Sequence, residues 1–201
     1  MQSQFSNLVV DYSGTLSFDL YFRSLGQDFL AHVQELMFRD DKSVTDRWMA
    51  GTWTARDVAV WLSSHTGRNA VDIEIELRRG CACMSLNASV MELVQDTRSK
   101  GLKSALVTIN ADVFTKVVVP TQNLHEFFDV IVNSADQREI DKRQLWKHAF
   151  CLLGPEAGYS NSLLIDDSKK SVEWFREAGG TAYHYQQDDD QLNAWVARHC
   201  L

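Results

Sequence analysis

The chain has 201 residues, 45% hydrophobic and 23% charged, the balance of an ordinary globular protein long enough to bury a core without disulfide or metal staples. Its 20 basic and 27 acidic residues leave a formal charge of −7, which argues against nucleic acid as a partner, because phosphate backbones select basic surfaces. A small phosphorylated ligand remains compatible, since a bound cation reverses the field inside a single pocket.

The first residues, through Asp11 and Gly14, carry no basic stretch ahead of an apolar run, so no signal peptide is read there. No run of about 18 apolar residues follows, so no membrane helix is expected. The four cysteines, Cys81, Cys83, Cys151 and Cys200, match neither a zinc pattern nor a C-x-x-C redox pair, and are expected to be reduced thiols in a cytoplasmic protein. The six histidines form no H-x-x-x-H pair, which argues against a histidine metal site.

In chain order, Leu8-Val9-Val10 is a short β-branched run that ends at Asp11 and enters the loop Ser13-Gly14-Thr15, the pattern of a buried strand with a site at its carboxyl end. Residues 20–80 then change to helical spacing, with Phe29, Val33, Leu36 and Met37 on one stripe and a capping-box pattern from Thr54 to Asp57 ahead of Val58, Trp61 and Leu62. Ile73, Ile75 and Leu77 alternate with acids, but their flanks favour a helix. The stretch reads as a helical insertion of about 60 residues. From Ser85 the pattern becomes α/β: a helix over 87–100 stopped by Gly101, a strand over 104–108, a helix over 111–119 ended by Pro120, and a strand over 128–132. A helix over 142–153, with Leu145, Trp146, Ala149 and Leu152 on one face, precedes a strand over 162–165 that ends at Asp166-Asp167. A helix to Ala178, a strand over 181–185 and a helix over 191–199 complete the chain. Strands alternating with helices predict an α/β fold, a parallel sheet covered on both faces, with ligands beyond the carboxyl ends of the strands.

Three of these strand ends are polar: Asp11, Thr108, and the pair Asp166-Asp167. In a parallel sheet they share one edge. Clustered carboxylates repel one another unless a cation holds them, and an all-oxygen ligand set favours Mg²⁺. Lys142 offers a second positive charge. Taken singly, Asp11 reads equally well as a loop acid and Asp166-Asp167 as a helix cap; together with Thr108 and Lys142 in this order, the residues read as a site.

The order of these motifs resembles the haloacid dehalogenase (HAD) superfamily over nearly the whole chain. Asp11-Tyr12-Ser13-Gly14-Thr15 is similar to the family's D-x-D-G-T, Thr108 to its strand-ending Ser/Thr, Lys142 to its helix-start lysine without the common following Pro, and Asp166-Asp167 to its acidic pair. The resemblance implies a Rossmann-like core, residues 1–16 and 81–201, carrying a small helical cap over 17–80. It implies a hydrolase acting on a small phosphorylated substrate, with Asp11 attacking phosphorus to form an aspartyl-phosphate. Mg²⁺ would be held by Asp11, the Ser13 carbonyl and Asp167, with Asp166 close behind. Thr108 and Lys142 would bind the transferring phosphoryl group, the amides near Gly14 would assist, and Tyr12 and Asn110 are further candidate substrate contacts, Asn110 also as a support for Thr108.

The departure is Ser13, where phosphatases of this family place a second Asp that protonates the leaving group. A serine hydroxyl does this poorly, and loss of a general acid–base group costs about 10²–10⁴-fold. Three readings therefore stand: a Mg²⁺ phosphatase that is slow or restricted in leaving group, a catalytically weak binding or regulatory module, and a phosphonatase- or dehalogenase-like hydrolase. A phosphonatase needs a cap lysine with a depressed pKa, and Lys42, flanked by acids, is expected to keep its proton. Arg23, Arg47 and Arg56 read as surface arginines ahead of anion contacts, Trp48, Trp53 and Trp61 as packing of the insertion, and Asp188-Asp189-Asp190 as a solvated turn. Oligomeric state is not legible.

Overall fold

The structure, a computed structural model, describes residues 5–198; the first residues of the chain, Cys200 and the expected end of the last helix at His199 lie outside them. Five parallel strands form one sheet in the order β3-β2-β1-β4-β5. They are β1 (Asn7–Val10), β2 (Lys103–Thr108), β3 (Val130–Asn133), β4 (Ser162–Asp166) and β5 (Thr181–His184). The chain builds outward from β1 through β2 to β3, then crosses to the other side of β1 for β4 and β5. The central strand is therefore the point where strand order reverses, the position at which open α/β sheets bind ligands.

The pleat sorts the strand residues into two cores. Leu8 and Val10 of β1, Leu106 of β2, and Leu163 and Ile165 of β4 face one side, while Val9, Ala105, Val107 and Leu164 face the other. On the second side lie α8 (Lys142–Leu153) and α9 (Lys169–Glu177); Trp146 meets the Phe175 ring edge-on and Phe150 meets it at a tilt. The first side carries α5 (Ala88–Ser99) and the helices inserted between β1 and α5: α1 (Gln27–Gln34), α2 (Lys42–Met49), α3 (Ala55–Thr66) and α4 (Ala70–Ala82). The remaining helices are α6 (Val119–Thr121), α7 (Ser134–Gln137) and α10 (Asp189–Arg198).

Local chemistry accounts for the inserted helices. Thr54 caps α3 in a reciprocal box with Asp57, and Asn69 caps α4 by accepting from the Val71 and Asp72 amides. In α4, Ile73 and Leu77 are buried one turn apart while Ile75 is exposed, so helical period prevails over the apparent alternation. The stripe from Phe29 to Met37 passes through a widened turn, Glu35–Asp40, in which the helix adopts π geometry.

Some expected boundaries shift. Pro120 does not end its helix: the chain continues to Thr121, because a π turn over Phe114–Val118 resets the ladder and leaves Pro120 at the start of α6, where its missing N–H costs little. The third strand begins at Val130 and not at Phe128, since the Asp129 carboxylate accepts from the Ser104 amide at 2.8 Å and closes the ladder there. On α8 the buried stripe is Leu145, Trp146, Ala149, Phe150 and Leu153; Leu152 is 55% exposed, one step off that stripe. The acidic triplet is not a free turn, because Asp188 accepts from the Gln191 amide and Asp189 and Asp190 open α10.

One buried acid fastens the insertion to the sheet. Asp112, which opens the helical segment after β2, accepts from Trp48 Nε1 at 2.9 Å, from the Ala55 amide at 3.0 Å and from Lys116 Nζ at 2.9 Å. Trp48 and Ala55 are both buried, so Asp112→Ala strands two donors away from water. We expect a loss of about 2–4 kcal/mol, read by denaturant unfolding. Asp112→Asn, which keeps the acceptor oxygen, is expected to recover more than half of it; equal losses in the two variants would show that the acceptor is not what matters.

Candidate active site

Asp11 continues the central strand by one residue, its amide bonding to the Ile165 carbonyl at 3.0 Å. Carried one step past β1, the pleat alternation turns Asp11 to the side occupied by α8, as it does Asp166 at the end of β4. Lys142, the first residue of α8, sits there. Its Nζ lies 3.0 Å from Asp11 Oδ2 and 2.7 Å from Asp166 Oδ2, and all three side chains are buried. Asp141 caps α8 by accepting from the Arg143 amide, which fixes where Lys142 leaves the helix.

Oxygens of Asp11, Asp166 and Asp167 lie within 4.8 Å of one another. Asp166 is largely committed: beyond Lys142, its Oδ1 accepts from the Ser168 amide at 2.8 Å. Asp11 Oδ1 is buried without a partner, and Asp167 is exposed. Burial raises the Asp11 carboxyl from 3.8 to about 6; Lys142 opposes that shift and Asp166 reinforces it. Asp167, though exposed as a residue, is raised as well, by partial desolvation of its carboxyl and then by Asp11. Burial alone lowers the Lys142 pKa, but the two carboxylates in contact more than offset it and hold the ammonium above its usual range.

The loop after Asp11 folds tightly back, with the Thr15, Leu16 and Ser17 amides all donating to the Tyr12 carbonyl. Gly14 adopts φ +78°, a backbone conformation that favours glycine, and a Cβ there would meet the exposed Asp167 carboxylate, which would have to shift. Thr108, at the end of β2, is buried with Oγ1 lacking a partner. Asp11 Oδ1 and Thr108 Oγ1 are thus unpartnered buried oxygens at adjacent strand ends, with Lys142 against Asp11, a set that suits a polyatomic anion and a cation. Three carboxylates against one ammonium leave an excess negative charge, and all the donors are oxygen, so the residues present fit a hard divalent cation of the Mg²⁺ type.

Asn110 does not support Thr108 through a hydrogen bond. Its Nδ2 donates to Ser13 Oγ at 3.2 Å, its Oδ1 accepts from the Ala111 amide at 3.2 Å and from the Tyr21 hydroxyl, and its amide donates to Ser134 Oγ at 2.8 Å. Tyr21 was not legible as a site residue, because it lies in the insertion and reaches Asn110 only through the fold. Tyr12 is buried, with its ring against Phe114 and its hydroxyl on Met84 Sδ, and one side lines a cavity.

That cavity, about 730 Å³, opens beside the loop at Ser13, Gly14 and Asn110, between the sheet edge and the inserted helices. It abuts the carboxylate cluster without containing it. Trp48 lines it; Arg23, Arg47 and Arg56 do not, being engaged with Asp19, with the Trp53 ring and with Glu74. Lys42 starts α2 at the surface, away from the cavity. Cys81, Cys83 and Cys151 are free thiols, and burial pushes Cys81 up to about 12, which keeps it protonated. Among the described residues no helix is long and apolar enough to cross a membrane.

No protein-family model matches the chain, and no curated protein matches it by sequence. Solved structures do match. A HAD family enzyme from Bacteroides thetaiotaomicron, as its magnesium complex, aligns with a TM-score of 0.75 at 14% identity, covering 96% of this chain and 98% of that one. In a complex with magnesium and inorganic phosphate, the same enzyme gives 0.70 at 15% identity over 94% and 98%. A predicted HAD-like family hydrolase from Porphyromonas gingivalis aligns at 0.74 and 13% identity over 99% and 100%. At these identities the likeness is one of fold, and the HAD-like fold extends over nearly the whole chain.

Proposed function

We propose that this chain is a Mg²⁺-dependent phosphohydrolase of the HAD type, acting on a small phosphorylated molecule through Asp11. The carrying observation is the Asp11 carboxylate itself: buried at the end of the central strand, with one oxygen on Lys142 and the other without a partner. The complex of a similarly folded enzyme with magnesium and inorganic phosphate supports the choice of ligands. Asp11, the Ser13 carbonyl and Asp167 would hold Mg²⁺, with Asp166 behind them as the anchor of Lys142. Bound there, the cation supplies charge neutralisation at the transferring phosphoryl group. Asp11 attacks phosphorus, Thr108 Oγ1 and Lys142 Nζ hold the phosphoryl oxygens, and water releases phosphate from the aspartyl-phosphate. Helices over 17–80 act as the cap that shields the reaction from water and meets the remainder of the substrate. With free thiols and an acidic surface, the protein suits the cytoplasm and a small-molecule partner.

The test is phosphate release with and without Mg²⁺ from an aryl phosphate, acetyl phosphate, several sugar phosphates and a phosphonate, with Asp11→Asn as control. Turnover that needs both Mg²⁺ and Asp11 supports the reading. Ser13 favours a second reading, a binding or regulatory module that holds the same ligands without turnover; Mg²⁺ binding with no hydrolysis of any member would select it.

Metal binding should depend on pH in a defined sense. The Asp11 pKa is raised on folding, from 3.8 to about 6, so without metal this group contributes less stability as pH rises through that interval. Mg²⁺ takes the ionised form and releases the proton. Its stabilisation should therefore be small near pH 5 and reach its full size above about pH 7. Thermal melts with and without Mg²⁺ across this range read the effect, and an equal shift at both ends would remove Asp11 from the ligand set. Gly14→Ala, which pushes the Asp167 carboxylate aside, is expected to weaken Mg²⁺ about 10–100-fold in calorimetric titration; unchanged affinity would mean that Asp167 is not a ligand.

A further inference from the structure

We propose that the substrate is an aryl phosphate: a phosphate monoester of a phenol-type hydroxyl on an uncharged, largely apolar body. The proposal rests on the phosphohydrolase reading above and adds the identity of the leaving group. Two independent features of the cavity carry it.

The first is its surface. At about 730 Å³ it is the size of a small-molecule site. Four large apolar side chains that line it, Phe18, Leu20, Phe38 and Ile109, are between 37% and 50% exposed. Such side chains concentrated at one opening mark a surface that gains by being covered. Deeper in, the walls include Phe22 and Trp48. The charged groups among the lining residues are already paired: Asp19 holds Arg23 and accepts from the Ser85 amide at 2.6 Å, and Arg39 holds Glu35 at 2.8 Å. The polar side chains that the cavity leaves unbonded include Gln34 and Gln187, both exposed, so a second anionic group would find neutral amides here and no unpaired cation. A flat aromatic body would cover the exposed rings.

The second is the absence of a proton donor for the leaving oxygen among the lining residues. Beside the Asp11 loop, the cavity presents the Ser13 hydroxyl, the Gly14 backbone and the Asn110 amide. Tyr12 turns its hydroxyl to Met84 Sδ, and Tyr21 donates its own to Asn110 Oδ1. Asp19 is committed as above. A leaving group on this side must therefore depart as a stable anion. In the reaction, the bond from phosphorus to the aryl oxygen breaks as an Asp11 oxygen bonds to phosphorus, and the electron pair leaves on the phenolate, which takes its proton from solvent. Water then attacks phosphorus, gives up its proton to solvent, and releases phosphate with Asp11 restored. An alkoxide leaving group would be far more basic and correspondingly slow.

The experiment compares phenyl phosphate, benzyl phosphate and acetyl phosphate with the full chain and Mg²⁺. Phenyl and benzyl phosphate both offer a ring, but benzyl phosphate must release an alkoxide; acetyl phosphate has a good leaving group and no ring. Phenyl phosphate is expected to exceed benzyl phosphate in kcat by about 10²-fold or more, and Ser13→Asp to narrow that gap at least about 10-fold by supplying an acid. Phe38→Ala, a surface change that spares the fold, is expected to raise KM about 10-fold more for phenyl than for acetyl phosphate. Phenyl and benzyl phosphate turned over alike, or a Phe38→Ala effect equal for phenyl and acetyl phosphate, would overturn the aryl assignment while leaving the phosphohydrolase reading intact. No Mg²⁺-dependent turnover of acetyl phosphate, which needs neither ring nor acid, would overturn both.

Discussion

Asp11→Asn is expected to abolish Mg²⁺-dependent phosphate release, by a factor on the order of 10⁶ where the wild-type rate is high enough to show it, and to leave the protein folded. Asparagine has the shape of aspartate, and its amide oxygen still faces Lys142, which keeps Asp166 at 2.7 Å. Burial disfavours the Asp11 charge more than Lys142 favours it, so removing that charge at neutral pH is expected to cost the metal-free fold little. In metal-free buffer the melting temperature of the variant should equal or exceed that of the wild type, while the shift produced by Mg²⁺ shrinks. Hydrolysis that survives would place the nucleophile elsewhere. A lower melting temperature in the absence of metal would show that ionised Asp11 stabilises the fold, contrary to the sense of its pKa.

The residues that could be read as a site from sequence are those whose position is set by topology alone. Asp11, Thr108 and Asp166 each end an apolar run, and a parallel sheet places such ends along one edge whatever the side-chain packing. Lys142 was legible because helix starts after β3 face that same edge. The strand and helix order was legible for the same reason: an α/β alternation has a strong local period. What could not be read depends on how the insertion packs. Tyr21 reaches Asn110 across 89 residues of sequence, and Asp112 gathers Trp48 and Ala55 from 64 and 57 residues away. No local pattern marks an acid as buried when its partners are an indole and a helix-start amide. The cavity was equally hidden, since Phe18, Leu20 and Phe38 belong to segments with no shared period. Leu152 shows the limit at a single residue: an apolar side chain one step off a helical stripe is indistinguishable from a member until the packing is known. The Pro120 boundary failed differently, because a π turn has no sequence signature comparable to a cap.

Lys142→Met is expected to be among the most destabilising single changes in the chain. The ammonium is 5% exposed and lies against two buried carboxylates. Methionine fills similar volume, so the loss reflects charge and not a cavity. Removing one partner of a buried ion pair costs about 3–5 kcal/mol, because the other is left uncompensated; at about 2–4 °C per kcal/mol for a chain of this size, the melting temperature should fall by roughly 10 °C. The pH dependence separates this from a packing defect. In the wild type the Lys142 pKa is raised on folding, so its contribution is fully present below the ordinary lysine value and is lost only as pH rises through the higher folded one. In the variant, Asp11 loses its counter-charge and holds its proton more tightly, so the deficit should be largest near pH 8 and shrink toward pH 5 as it neutralises. Adding Asp166→Asn should return part of the loss, because the second change then removes an unpaired charge where in the wild type it would break a pair. A deficit independent of pH and additive with Asp166→Asn would mean that Lys142 is held by its methylenes in the core of the sheet edge, and that the two carboxylates find their compensation from another source.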